Sequence, residues 1–156
     1  MERVYPREEV CLLLGQALPN LQLATVQFNQ NYLENHSTEY FMKGLSSNYT
    51  ITDIDYSYNK MYSNVGVVGE MLSLNNTLRI LDISWNEITE GKELGKGISH
   101  NKSLIILNLS ANKISANGIS GIADGLTKNS TLRVLNLSKN QIHCDGAQIL
   151  ASSLKN

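Results

Sequence analysis

Apolar positions in this chain alternate over short stretches and then recur three and four apart. The first pattern predicts strands and the second predicts one face of a helix. From residue 23 onward the two follow each other in strict turn. The alternating part reads Leu-x-x-Leu-x-Leu-x-x-Asn-x-Ile, with conservative variation. It occurs as Leu23/Val26/Phe28/Asn31/Leu33, Ile51/Ile54/Tyr56/Asn59/Met61, Leu78/Leu81/Ile83/Asn86/Ile88, Leu104/Leu107/Leu109/Asn112/Ile114 and Leu132/Leu135/Leu137/Asn140/Ile142. The starts are 28, 27, 26 and 28 residues apart. A second asparagine stands three residues before each start, at Asn20, Asn48, Asn75, Asn101 and Asn129. Self-similarity at a period of roughly 20–50 residues is the mark of a stacked array.

Each unit predicts one strand and one helix. The in-pointing strand pairs are Val26/Phe28, Ile54/Tyr56, Leu81/Ile83, Leu107/Leu109 and Leu135/Leu137. The helix faces are clearest late in the chain, as Ile119/Ile122/Ala123/Leu126 and Ala147/Leu150/Ala151/Leu154. Gly118 and Gly146 fall at one place just inside those helices. A side chain there is expected to push the helix off the strand behind it. Ser115 and Asp145 are the candidate N-caps. Asn31, Asn59, Asn86, Asn112 and Asn140 follow the strands where the chain must turn. An amide there satisfies main-chain groups aimed into the core, and stacking makes a ladder of such amides.

Units four and five, LIILNLSANKISANGISGIADGLTKNST and LRVLNLSKNQIHCDGAQILASSLKN, resemble leucine-rich repeats of the ribonuclease-inhibitor type. The Asn-x-Ile-x-x-x-Gly element and the period near 28 carry the resemblance. In unit three Gly91 sits one place early. In units one and two Ser37 and Val65 replace the glycine, and Phe28 and Tyr56 replace leucine. The resemblance implies an α/β fold, a leucine-rich-repeat βα solenoid or horseshoe of about five repeats, with a parallel concave sheet and outer helices. The expected divisions are 1–22, an N-terminal capping helix or half-repeat, and then 23–50, 51–77, 78–103, 104–131 and 132–156. Such arrays occur in ribonuclease inhibitors, Ran GTPase activators, tropomodulin-like proteins and nucleotide-binding innate sensors, and their common activity is protein binding.

Solvent-facing columns are expected at the second, fourth, sixth and seventh residues after each start. These are Thr25/Asp53/Ile80/Ile106/Val134, Gln27/Asp55/Asp82/Asn108/Asn136, Asn29/Ser57/Ser84/Ser110/Ser138 and Gln30/Tyr58/Trp85/Ala111/Lys139. Each column spans about 20 Å at the usual strand spacing. The candidate partner-binding residues are Asp53, Asp55, Tyr58, Ile80, Asp82, Trp85, Ile106, Asn108, Val134, Asn136 and Lys139. Trp85, the only tryptophan, is either an interface anchor or local packing over its own loop. Asp53, Asp55 and Asp82 form either a site that steers a basic segment or a merely solvated face. Ile80, Ile106 and Val134 form either a cross-strand ladder or the floor of a peptide site.

Composition narrows the chemistry. The chain has 156 residues, 18 of them asparagine, and a net charge of −1, which argues against a strongly basic nucleic-acid binder. No run of 18 apolar residues occurs, and Glu8 and Glu9 precede the apolar stretch at residues 10–14, where a secretory signal wants positive charge. Cys11 and Cys144 lie in opposite terminal units and read as free thiols of a reducing, cytoplasmic setting. His36, His100 and His143 sit at unrelated offsets, so neither a metal site nor a catalytic set is expected, and no cofactor. Seven Asn-x-Ser/Thr triplets, at Asn35, Asn48, Asn75, Asn101, Asn108, Asn129 and Asn136, read as repeat positions rather than glycosylation acceptors.

The leading expectation is a non-enzymatic module that binds another protein, not nucleic acid or membrane. Two alternatives stand beside it: a regulator of a small GTPase, although Arg79 and Arg133 do not look like a finger loop, and a fragment of a longer receptor. Without a polar terminal unit, the last repeat is expected to fray or to associate end to end.

Overall fold

The computed structural model describes residues 6–154. Residues 1–5 and 155–156, which belong to the expected divisions 1–22 and 132–156, lie outside the described residues, as do the side chains of residues 6–8 and of Asn35. Strands and helices alternate: α1 (Pro6–Ala17), a 3-10 turn (Leu18–Asn20), β1 (Thr25–Gln27), α2 (Asn35–Ser46), β2 (Asp53–Asp55), α3 (Gly66–Leu74), β3 (Ile80–Asp82), α4 (Lys92–His100), β4 (Ile106–Asn108), α5 (Ala116–Leu126), β5 (Val134–Asn136) and α6 (His143–Ser153). The five strands form one parallel sheet in sequence order. Their register matches the repeat: Val26, Ile54, Leu81, Leu107 and Leu135 are mutual partners across the sheet. No described helix is long and apolar enough to cross a membrane.

The core lies between the sheet and the helices. Ile54, Leu81 and Leu107 are buried, while Val26 and Leu135 on the outer strands are half-buried. Units one and two carry helices although their apolar pattern is the least regular. Their leucine replacements have a packing reason. Phe28 stacks on Phe41 of α2 at 5.2 Å, and Phe41 meets Tyr56 at 5.1 Å. The Tyr56 hydroxyl is hydrogen-bonded to Thr38 Oγ1 at 3.0 Å, so the buried phenol has its partner.

Both asparagine sets bind repeat to repeat. Asn59 Oδ1 accepts from the main-chain N–H groups of Asn31 and Leu33, 28 and 26 residues earlier, and its Nδ2 donates to the Phe28 and Tyr56 carbonyls. Asn112 does the same for Asn86, Ile88, Ile83 and Leu109. Asn140 completes the stack, and Asn31 at the near end is exposed. Asn86 differs: its Nδ2 donates to Tyr56 O, but its buried Oδ1 has no partner among the described residues. The turn it would serve is redirected there, since Tyr62 takes a left-handed φ of 49° and sends its N–H to the Asn86 carbonyl.

The second set is more regular. Asn101 Oδ1 accepts from the N–H groups of Ser103 (3.0 Å) and Leu104 (2.7 Å), which open the next strand segment. Its Nδ2 donates to the carbonyls of Leu72 (2.8 Å) and Asn75 (2.9 Å) in the repeat before. Asn75 and Asn129 repeat all four bonds, and Asn48 makes them with Leu18 and Leu21 as the carbonyl pair. This second ladder starts at Asn48, because Asn20 is exposed. The triplets beginning at Asn48 and Asn129 gain a structural meaning: the Thr50 and Thr131 hydroxyls donate to the carbonyls of Leu21 and Asn101.

Several local expectations are corrected. Asp145 is not an N-cap; it lies in the first turn of α6, behind Ile142. Ser115 does cap α5, accepting from the Gly118 N–H. A Cβ on Gly118 would strike the Thr89 carbonyl, and one on Gly146 would press on Ile142, Ile119 and Ala116. The closest approach is to the preceding repeat for Gly118 and to Ile142 of its own repeat for Gly146, and in neither case to the strand behind. In the last unit Leu135, Leu137, Ile142 and Leu150 are half-buried, and Leu154 is exposed.

Replacing Asn101 with Leu strips four main-chain groups of their partner, and each buried orphan costs about 1–3 kcal/mol. Urea unfolding should show a loss of about 3 kcal/mol or more, against under about 1 kcal/mol for the exposed Asn31→Leu. Equal losses would refute the distinction. A second test uses pH. Burial pushes the Tyr56 phenol well above its ordinary value of 10, outweighing the Thr38 hydrogen bond. The unfolded chain then releases that proton first, so stability present below pH ~10 falls as pH rises beyond it. The slope should reach at most about 1.4 kcal/mol per pH unit from this group and should vanish in Tyr56→Phe.

Candidate functional site

The second and fourth columns run in register across all five strands. In the second, Ile80 and Val134 are exposed, with Ile106 half-buried between them, so the apolar strip is real and faces away from the helices. In the fourth, the polar side chains fold along their own strands. Asp55 Oδ1 accepts from the N–H and hydroxyl of Ser57, and Asp82 Oδ1 accepts from the Ser84 N–H at 2.8 Å. Asn108 and Asn136 accept in the same way from Ser110 and Ser138. Asp82 also accepts from Asn108 Nδ2 at 2.7 Å across the sheet, and Asp53 accepts from the Thr52 hydroxyl. The three carboxylates thus line the sheet face while four of the fourth-column residues also tie down the strand ends.

The sixth column is not a solvent face in mid-array. Ser57 and Ser84 are buried, because the chain bends sharply just after them. That bend puts every seventh-column residue in the left-handed region: Gln30, Tyr58, Trp85, Ala111 and Lys139 have φ of 54–56°. None is glycine, although a non-glycine residue there costs roughly 1–2 kcal/mol. The conformation aims each N–H at the next repeat. Gln30, Tyr58, Trp85 and Ala111 donate to the carbonyls of Ser57, Ser84, Ser110 and Ser138 at 2.8–3.1 Å.

The same bend sets the aromatic pair. Neighbouring strands lie about 4.8 Å apart. Tyr58 and Trp85, one strand apart at the same position, stack with centroids at 4.9 Å and planes within 11°. Both are exposed, at 43% and 44%. Beside them is a groove of about 520 Å³, with Tyr32, Lys60, Glu87, Lys113 and Lys139 along its wall. Lys113 pairs with Glu87 at 2.6 Å. Tyr32, Lys60 and Glu87 escaped the column reading because they, like Lys113, follow the ladder asparagine. They form a ninth column, at starts plus nine, visible once the count is carried past the turn. Lys139, Tyr58 and Trp85 converge on the groove, whereas Ile80, Ile106, Val134 and the carboxylates lie along the sheet face.

The thiols and imidazoles do not converge. Cys11 is buried, which pushes its thiol up, and Cys144 is exposed at the far end. No group of three His, Cys, Asp or Glu side chains suited to a metal is found among the described residues.

A family model described as Leucine Rich repeat matches residues 74–90, 100–123 and 128–151. The fold is the leucine-rich-repeat βα solenoid. The first matched stretch begins at the end of the second repeat, so nearly all of the irregular first two repeats lies outside the match. Among solved structures, the chain resembles the tropomodulin C-terminal domain of Caenorhabditis elegans, with a TM-score of 0.70, 13% identity, and 95% and 91% of the two chains covered. It resembles leiomodin-1 actin-binding site 2 at 0.71 and 20% identity, covering 91% and 88%. It also resembles a chain of the Chaetomium Mex67:Mtr2 structure at 0.53 and 20% identity, covering 96% and 99%. At these identities the likeness is one of fold. No curated protein sequence matches the chain.

Proposed function

We propose that this chain is a protein-interaction module without catalysis of its own, working in the cytoplasm, with its partner on the concave sheet face. The observation that carries this reading is the exposed Tyr58/Trp85 stack beside a groove and an apolar strip. Large flat side chains held rigid at a concave surface are the commonest interface anchors. Here the two rings stack on each other, so less side-chain freedom is left to lose on binding. The binding surface proposed is Asp53, Asp55, Tyr58, Ile80, Asp82, Trp85, Ile106, Asn108, Val134, Asn136 and Lys139.

Two similar structures lend support by their names, one as an actin-binding site and one as the paired Mex67:Mtr2 subunits. The ribonuclease-inhibitor subtype is favoured by the 26–28-residue spacing and by a helix of nine to twelve residues in every repeat. We keep the divisions 1–22, 23–50, 51–77, 78–103, 104–131 and 132–156 as part of this proposal. A protein partner is preferred over nucleic acid because the sheet face carries three carboxylates in its middle strands.

The test is affinity capture from the source cells with quantitative mass spectrometry. Partners held by the unaltered chain should drop at least tenfold with Trp85→Ala and with Ile106→Glu. Lys96→Glu, on the opposite helical side, should keep them. Identical partner sets for all four chains would overturn the assigned surface.

A further inference from the structure

The groove and the sheet face carry opposite charge. Lys60 Nζ stands 5.6 Å from the Tyr32 ring centroid, and Lys139 Nζ stands 5.7 Å from that of Trp85. Neither ammonium has an ion-pair partner among the described residues, whereas Lys113 is neutralised by Glu87. The groove therefore offers two unpaired cations, each lying over a ring, and a flat aromatic wall. The adjoining columns offer Asp53, Asp55 and Asp82 instead. A ligand with carboxylates in the groove and neutral or basic groups over the sheet suits both fields; a uniform polyanion does not.

We propose that the groove receives an acidic segment of a protein, with carboxylates on Lys60 and Lys139 and a ring packed on the Tyr58/Trp85 wall. This deepens the binding reading above and rests on it. The groove's size suits a few residues of an extended peptide. Single-stranded nucleic acid would also stack on the rings, but its successive phosphates would run onto the carboxylate columns, and the groove holds no arginine to fork a phosphate.

The test is display selection of random twelve-residue peptides on the full chain, followed by affinities of the enriched peptides. Trp85, the only tryptophan, reports occupancy directly through its emission. The enriched peptides should be acidic and carry an aromatic residue. They should shift Trp85 emission, and their affinity should fall at least tenfold in Lys60→Glu/Lys139→Glu. The milder Lys60→Gln/Lys139→Gln, checked by circular dichroism for an intact fold, should weaken them in the same direction. Basic peptides, or competition by a twelve-residue oligothymidylate at equal affinity, would overturn the assignment of the ligand. Peptides insensitive to both lysine pairs but lost in Ile106→Glu would overturn the groove and leave the sheet-face reading standing. Peptides insensitive to all of these changes, or no enrichment, would overturn both.

Discussion

What holds this molecule together is the need of each repeat's main chain for hydrogen-bond partners that only the next repeat supplies. The strands are three residues long, too short to satisfy the bends on either side of them. Two asparagine ladders fill the gap, one at each end of the strands. A buried amide brings two donors and an acceptor on a short, stiff side chain, which is why no aspartate or leucine substitutes for Asn75, Asn101 or Asn112 without leaving an orphan. The abundance of asparagine in the composition is the visible trace of that constraint.

The same constraint produces the candidate binding surface. To keep pairing with its neighbour beyond the strand, the chain turns left-handed at the seventh position and points an N–H across the gap. The turn leaves the side chain outside, at strand spacing from its neighbour. Where two successive repeats place aromatics there, a rigid stack results, and the turn after it closes a groove lined by lysines. Stability and display of side chains therefore come from one main-chain geometry. A solenoid built this way has a fixed face, and its specificity resides in which residues occupy the columns.

Much of the fold could be read in the sequence, because the repeat imposes its own register. The positions of Leu81, Leu107 and the post-strand asparagines followed from spacing alone. The second ladder's bonds to the preceding repeat did not, since spacing marks Asn101 as repeated but does not say which carbonyls it meets. The site was only partly legible. Ile80, Ile106 and Val134 lie where alternation puts them. Ser57 and Ser84 do not, because alternation fails once the chain leaves the β region. Asp55 and Asp82 face the sheet surface as expected, yet each spends one oxygen on a serine N–H two residues on, a local bond that period-two reasoning ignores. Tyr32, Lys60 and Glu87 were missed because the strand pattern had already ended.

The most direct measurement is native-state hydrogen exchange at the main-chain amides of Ile51, Leu78, Leu104 and Leu132, which donate to the asparagine oxygens rather than to a strand or helix. If the ladders hold the repeats together, Leu78 and Leu104 should exchange as slowly as the strand amides of Leu81 and Leu107, opening only with the whole stack. Exchange at the rate of an exposed loop, with the strands still protected, would contradict it.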